Sequence, residues 1–465
     1  MSFEDFPSAF RGAVYRPGDA GYADARCIFN AHVADATPAL IVRAEDEADV
    51  VTVARYATAT GTPLAVRAGG HGVDGTAMPD GAVVLDLTRL DTIDVRPETG
   101  VVRLGAGVLL ADMDATLEKH GLVVPSGTVS STGIAGLTLG GGVGYNMRRY
   151  GATVDNLLSC DMVALDGRRV TASATENPDL FWALRGGGGN FGVVTGFEFQ
   201  AKPLPPLVSA GFIVFPLDQA AAVLGALREY LPTAPRELAI IAVLTKCPPL
   251  PPVPPEFHGA DVLMPVVVYT GPQEKAEPVI SDVVALGTPV ATAVGPMPWS
   301  AANRMLDVIA PSGRRYYTKG GYLAELSDTV IEIVVRNAAN APAPVHPMLP
   351  SAVQNVWAMG GAISEDFDED SAAFSREGAA WMWEIITEWD SPADDDTFHG
   401  WLDNARADLT PHLRGNCYIN LSTDNGPEWR RSAWGGEERY SRLVEVKTAW
   451  DPQNLLRFNK NVPPL

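Results

Sequence analysis

Glycine is concentrated in three clusters in the first 200 residues, and one of the seven histidines lies inside the first cluster. That cluster reads Arg67-Ala68-Gly69-Gly70-His71-Gly72. The second covers 133–144 and holds Gly133, Gly136, Leu137, Gly140, Gly141, Gly142 and Gly144. The third covers 185–195 and runs through four glycines into Asn190, Phe191, Gly192, Val193 and Val194. Glycine reaches positive φ and lets backbone approach a ligand with no Cβ in the way. Successive amides in such turns form a nest for pyrophosphate oxygens. The formal charge is 35 − 56 = −21, so the overall field repels a phosphorylated ligand and local backbone must hold it. One cluster alone reads as a tight turn. The first lacks GxGxxG spacing, and Asp86, about 20 positions on where a ribose ligand is wanted, lies inside an apolar run. A nicotinamide Rossmann site is therefore disfavoured. His71 reads in two ways: a turn histidine bonded to backbone, or a nucleophilic imidazole beside a cofactor.

The elements that must hold these turns follow from periodicity. Residues 40–42 and 64–67 are short apolar strands, and a helix over 46–60 lies between them with Gly61 as its stop. Further strands are expected at 83–87 and 101–104, and a helix at 109–119 ended by Gly121. The first 200 residues are thus βαβ-like with added strands. Pro203, Pro205 and Pro206 mark a change of pattern, and the proline-rich 248–255 stretch must be an extended surface loop. Beyond 206, strand-like runs at 212–215 and 330–335 and a helix over 217–230 suggest a second, α+β unit with an antiparallel sheet. The acidic runs 365–370 and 394–396 read as solvated loops, without the spacing of a calcium loop. Residues 437–449 form an amphipathic helix that Asp451-Pro452 ends.

Composition narrows the classes. Hydrophobic residues make up 46% and charged residues 20%, the balance of a chain with real cores. The acidic charge argues against nucleic acid and against an anionic membrane surface. The cysteines at 27, 160, 247 and 417 are too scattered for a disulfide scaffold or a zinc site, so no metal is expected. No signal-peptide pattern opens the chain, and no apolar run approaches the ~20 residues of a membrane span. A cytoplasmic protein is expected.

Five segments in order carry a family resemblance. They are 63–87 with RAGGHG and VVLDL, 125–156 with GIAGLTLGGGVG, and 176–195 with ALRGGGGNFGVVT. The last two are YTKGGYLAELS at 317–327 and a C-terminal part with Tyr418-Ile419-Asn420 followed by WDPQNLLRFN at 450–459. Over nearly its whole length the chain resembles FAD-linked oxidases of the vanillyl-alcohol oxidase type, in the berberine-bridge-enzyme-like branch. The resemblance implies an α+β fold. A PCMH-type FAD-binding domain would come from 1–205, completed by a berberine-bridge segment at 416–465. Residues 206–415 would form a substrate domain roofing the flavin with an antiparallel sheet.

The resemblance also assigns roles. His71 occupies the position whose imidazole bonds the flavin 8α-methyl, which raises the flavin potential. The second-link cysteine of some relatives is Val129 here, so FAD is expected to be covalent through His71 alone. Backbone of 69–72 and 132–142, including Thr132, is expected to cradle the pyrophosphate. Gly192, Val193 and Val194 fall near the adenosine, with Asn190 in the same turn, and Asn420 and Asn459 contact the ring or ribityl chain. Tyr418 heads a motif whose tyrosine is a general base in several relatives; its pKa must fall from the usual ~10 for that role, and the other reading is an aromatic packing residue. Glu365 follows 360–364, read as a strand where some relatives place a catalytic glutamate; the other reading is a solvated charge. Tyr317 and Lys319 alternate along a strand and are read as facing one cavity, although Lys319 equally suits an ion pair.

The expected activity is hydride transfer from a substrate C–H, of an alcohol, amine or similar carbon, to FAD, with dioxygen as acceptor and hydrogen peroxide as product. The competing readings are a dehydrogenase, a natural-product tailoring oxygenase, or a flavin-binding protein without turnover. The partners expected are a small organic substrate and O2, on a monomer or homodimer.

Overall fold

The computed structural model describes residues 6–33 and 35–465. Strand Leu40–Arg43 leads to helix Glu47–Thr60. The Asp46 side chain caps that helix by accepting from the amides of Ala48 and Asp49, and Gly61 ends it at φ 64°. Strands Leu40–Arg43 and Leu64–Arg67 both pair in parallel with Val83–Asp86, which lies between them. Strand Leu64–Arg67 therefore delivers the first glycine cluster directly at its C-terminal end. A second, antiparallel sheet runs in the order Ile93–Arg96, Val101–Gly105, Val193–Gln200, Leu157–Val163, Arg169–Ser173. Helix Leu110–Leu117 and a turn of 3-10 helix end at Gly121, as the periodicity predicts.

The core of this half also takes in the C-terminal residues Leu443, Leu455, Leu456 and Val462. Lys447, on helix Glu437–Trp450, is fully buried. Its Nζ lies 2.6 Å from Asp451 and donates to the carbonyls of Asn190 and Leu456. Asn190 Oδ1 in turn accepts from the amide of Val462. The third glycine cluster is thus tied to the chain's last residues by a buried, hydrogen-bonded charge.

The middle of the chain forms a seven-stranded antiparallel sheet. Its order is Ala291–Met297, Val208–Pro216, Asp261–Tyr269, Leu238–Lys246, Ala352–Ala358, Trp381–Trp389, Arg315–Leu323. Alternation sorts the side chains. Leu238, Ile240, Ala242 and Leu244 pack beneath helices Ala220–Tyr230, Asp328–Ala339 and Asp395–Leu409. Ala239, Ile241 and Val243 face the other way, toward Val143, Tyr145 and Met147 of the first half.

Three local expectations are corrected. The run 330–335 lies in helix Asp328–Ala339, not a strand: Ser327 caps it through the Val330 amide, and Val330, Ile331, Val334 and Ala338 fall on one buried face. Tertiary packing of that face overrides the β-branched preference. Residues 362–365 form a short helix after two positive-φ glycines, where a strand was expected. Asp395 opens a helix and pairs with Arg315 rather than sitting in a solvated loop.

Candidate active site

A cavity of about 430 Å³ lies between the glycine clusters and the face of the seven-stranded sheet that is turned away from its helices. Ala68, Gly69, Gly70, His71, Gly72, Val129, Thr132, Gly133, Gly136, Leu137, Asn190, Gly192 and Val194 line one side, with Tyr418, Asn420 and Asn459. The first two clusters touch back to back: a Cβ on Gly69 would stand 2.4 Å from the Gly133 amide nitrogen. Elsewhere the glycines leave room for a ligand. A Cβ added at Gly72, Gly136 or Gly189 would meet nothing within 4 Å.

The remaining cradle residues support the wall without lining it. Arg67 is committed to Asp86 at 3.2 Å and to the Ala25 carbonyl at 2.8 Å. Gly140 gives way to the Asn420 amide, whose Oδ1 would be 2.2 Å from an added Cβ. Gly141 packs on Phe374, Gly142 on Thr153 and Gly144 on the Ser126 carbonyl. Val193 is a buried strand residue opposite Val163. At Gly140, Gly141, Gly142 and Gly144 close chain packing leaves no room for a Cβ.

His71 is held in an unusual way. Its ring stacks on Phe29 at 3.8 Å and 17°, and Phe29 stacks on Tyr316 at 4.4 Å and 22°. Nε2 is buried without a hydrogen-bond partner. Burial lowers the imidazole to about 4, so it is neutral with a lone pair available.

The opposite wall differs from the sequence expectation. Tyr317 and Lys319 do share a face, but it is the helix-side face. Tyr317 Oη donates to Asp403 at 3.2 Å, and Lys319 pairs with Asn425. Their neighbours Tyr316 and Thr318 line the cavity instead. Glu365 lies outside the cavity, more than half exposed and paired with Arg236. Its partnered, exposed carboxylate has no access to the site.

Strand Trp381–Trp389 supplies the acids that sequence reasoning missed. Trp381, Trp383 and Ile385 point under the helices, whereas Glu384, Ile386 and Glu388 line the cavity. Glu384 is 3% exposed, and its Oε2 accepts from Asn355 Nδ2 at 2.9 Å and Trp357 Nε1 at 3.2 Å. Burial outweighs these donors and pushes the carboxyl up to about 7. Glu388 rises to about 8, again by burial, although Arg314 Nη1 stands 3.2 Å from its Oε2. The available signal was two acids at like parity in the apolar run WMWEIITEW.

Tyr418 is buried at the meeting of the two walls. Its oxygen accepts from Asn420 Nδ2 at 3.0 Å, and the backbone amides of Gly142 and Val143 act on it as well. These donors favour the phenolate, but burial prevails and the phenol is pushed up to about 12, with the Glu384 charge adding to the rise. Near neutral pH the Tyr418 phenol is therefore protonated, and Glu384 and Glu388 are the cavity acids whose raised values fall nearest to it.

The residues present fit FAD. The paired glycine loops leave an open cradle, the neutral imidazole adjoins it, and Asn459 Oδ1 is buried without a partner. Among the described residues, no cluster of metal-ligating side chains occurs and no helix is long and apolar enough to cross a membrane.

Comparison with known proteins agrees. Residues 38–173 match the family described as "FAD binding domain", and residues 417–463 match "Berberine and berberine like". An FAD-linked oxidoreductase of Dictyostelium discoideum is 30% identical over 99% of this chain and 96% of its own length. The (R)-6-hydroxynicotine oxidase of Paenarthrobacter nicotinovorans is 38% identical over 45% of each chain. The crystal structure of 6-hydroxy-D-nicotine oxidase from Arthrobacter nicotinovorans superposes with a TM-score of 0.88 at 26% identity, covering 99% of this chain and 100% of that one.

Proposed function

Because this chain belongs to the FAD-linked oxidoreductases with a berberine-like C-terminal region, we propose that it is an oxidase of a small organic molecule. The substrate would be oxidised at a carbon bearing a hydroxyl or amine, with dioxygen as the electron acceptor and hydrogen peroxide as the product. The observation that carries this reading is Glu384, a buried carboxyl near 7, facing the glycine cradle across one cavity. An acid tuned to the working pH is the feature proton abstraction needs.

When bound, FAD supplies the hydride acceptor and the route of electrons to dioxygen. Glu384 takes the O–H or N–H proton of the substrate. Asn355 and Trp357 both hold Oε2, which orients the carboxylate and leaves Oε1 for that proton. Tyr418, neutral and held by the Asn420 amide on its oxygen, presents its own proton to the substrate heteroatom. Ile241, Val243, Val353, Ile386, Leu306 and Ile309 make much of the remaining wall aliphatic. That lining favours a compact apolar molecule carrying one polar group, with amines the first class to test. His71 is the proposed site of covalent attachment, and Val129, which lines the same cavity, offers no sulfur for a second link.

The test is a panel of amines, alcohols and sugars, read by anaerobic bleaching of the bound flavin and by oxygen uptake. Bleaching by an apolar amine or alcohol, with oxygen consumed and peroxide formed, is expected. Bleaching without oxygen uptake would make the protein a dehydrogenase. No bleaching across the panel would favour a flavin carrier without turnover.

A further inference from the structure

We propose that Phe29 is a positioning residue for covalent flavin attachment, acting with Tyr316 as a column of rings that fixes the plane of His71. This inference rests on the reading of His71 as the attachment site.

Stacking is the main contact seen to orient the imidazole. Nε2 has no hydrogen-bond partner, and the ring lies nearly parallel to Phe29 at 3.8 Å. Phe29 is itself clamped. Its amide donates to the Gly70 carbonyl at 3.0 Å, and its carbonyl accepts from the Gly313 amide at 2.9 Å. The next residue, Asn30, accepts from the Tyr316 amide and donates to the carbonyls of Val73 and Tyr316. Tyr316 closes the column from the seven-stranded sheet, its hydroxyl donating to the Pro311 carbonyl at 2.6 Å. The column therefore joins three separate parts of the chain: the lead segment, the histidine turn and the substrate sheet. It sets the imidazole plane before any flavin arrives.

Attachment forms one bond between an imidazole nitrogen and the 8α-methyl carbon. One methyl C–H bond and the imidazole N–H bond break. The two protons and the electron pair released are taken up by dioxygen, which leaves as hydrogen peroxide. This step depends on a ring nitrogen being aimed at that carbon, and a small misalignment of reacting groups is costly.

The test uses protein as purified from expression, in wild type, Phe29→Leu, Phe29→Tyr and Tyr316→Leu. Total flavin is read from the visible spectrum of the native protein, and the covalent fraction from intact mass after acid precipitation. Phe29→Leu is expected to bind as much total flavin as wild type while its covalent fraction falls by about tenfold or more. Phe29→Tyr restores attachment, and Tyr316→Leu gives an intermediate loss. A fully covalent Phe29→Leu protein overturns the proposal. So does a parallel loss of total and covalent flavin, which marks a merely structural role. A wild-type protein carrying only dissociable flavin overturns the His71 reading itself, and the proposal falls with it.

Discussion

The two walls of the cavity are built on different principles. The wall proposed to hold the cofactor is made mostly of loops: three separate glycine-rich segments, with the short helix Ile134–Leu139 in the second, whose backbone is exposed because side chains are mostly absent. The wall proposed to meet the substrate is made of one sheet, and its polar groups are single side chains dispersed over Arg315–Leu323, Ala352–Ala358 and Trp381–Trp389. A loop wall is specified by composition. A sheet wall is specified by parity, because moving one residue along a strand moves its side chain to the opposite face. Each wall should therefore fail in its own way when altered.

The largest effect is expected on the substrate wall. Glu384→Gln keeps size and one acceptor but removes the base, and kcat/KM should drop by about 10²–10⁴-fold with flavin loading unchanged. Steady-state kinetics on the turned-over panel compound, with the visible spectrum as loading control, checks this. Next is the tie beneath the cofactor wall. Lys447→Met leaves the buried Asp451 carboxylate unpaired and should cost ~3–5 kcal/mol in denaturant unfolding.

Glycine substitutions separate two kinds of cradle position. Gly69→Ala collides with backbone, not with a movable side chain, and should destabilise the chain by roughly 1–3 kcal/mol. Gly136→Ala and Gly189→Ala meet open space and should not destabilise the flavin-free chain, Gly136→Ala within helix Ile134–Leu139 even gaining up to about 1 kcal/mol, while flavin binding weakens. Equal effects at all three positions would erase the distinction.

The buried acids give a pH signature. Glu384 is raised from 4.5 to about 7, Asp114 from 3.8 to about 7 and Glu388 from 4.5 to about 8, each chiefly by burial. A raised carboxyl binds its proton more tightly in the folded state. Its contribution to stability is complete below the unfolded value near ~4 and is lost as pH rises through 7 to 8. Unfolding midpoints should fall between pH 5 and 8, and Glu384→Gln should remove roughly 1–3 kcal/mol of that dependence. The smallest effect tests parity directly. Tyr317→Phe lies on the helix-side face and should change kcat/KM by less than about twofold, as a substitution away from the reacting groups.

How much of this was legible in the sequence follows the same division. The strands and helix around the first glycine cluster were readable because capping residues, a stop glycine and short apolar runs agree locally, from Asp46 to Arg67. His71, Val129 and Asn420 reach the cavity because each is contiguous with a recognisable motif. Gly140, Gly141, Gly142 and Gly144 are required by chain packing, which composition alone does not separate from ligand approach, because the same residue type serves both. Tyr317 and Lys319 were placed on one face correctly, but parity alone does not say which face meets the ligand. Glu384 went unnoticed because its meaning depends on Asn355 and Trp357 from the neighbouring strand, a register that local sequence does not encode. The 330–335 run misled for a related reason: a β-branched segment becomes a helix when the sheet beneath offers a face to cover.

In the proposed reaction Glu384, not Tyr418, carries the titration that controls substrate oxidation. The direct test is the pH dependence of anaerobic flavin bleaching by an active panel compound, in wild type, Glu384→Gln and Tyr418→Phe. The rate is expected to rise with pH through an apparent value near 7, a dependence lost in Glu384→Gln and kept, at lower amplitude, in Tyr418→Phe. A dependence that survives Glu384→Gln and vanishes in Tyr418→Phe would contradict it.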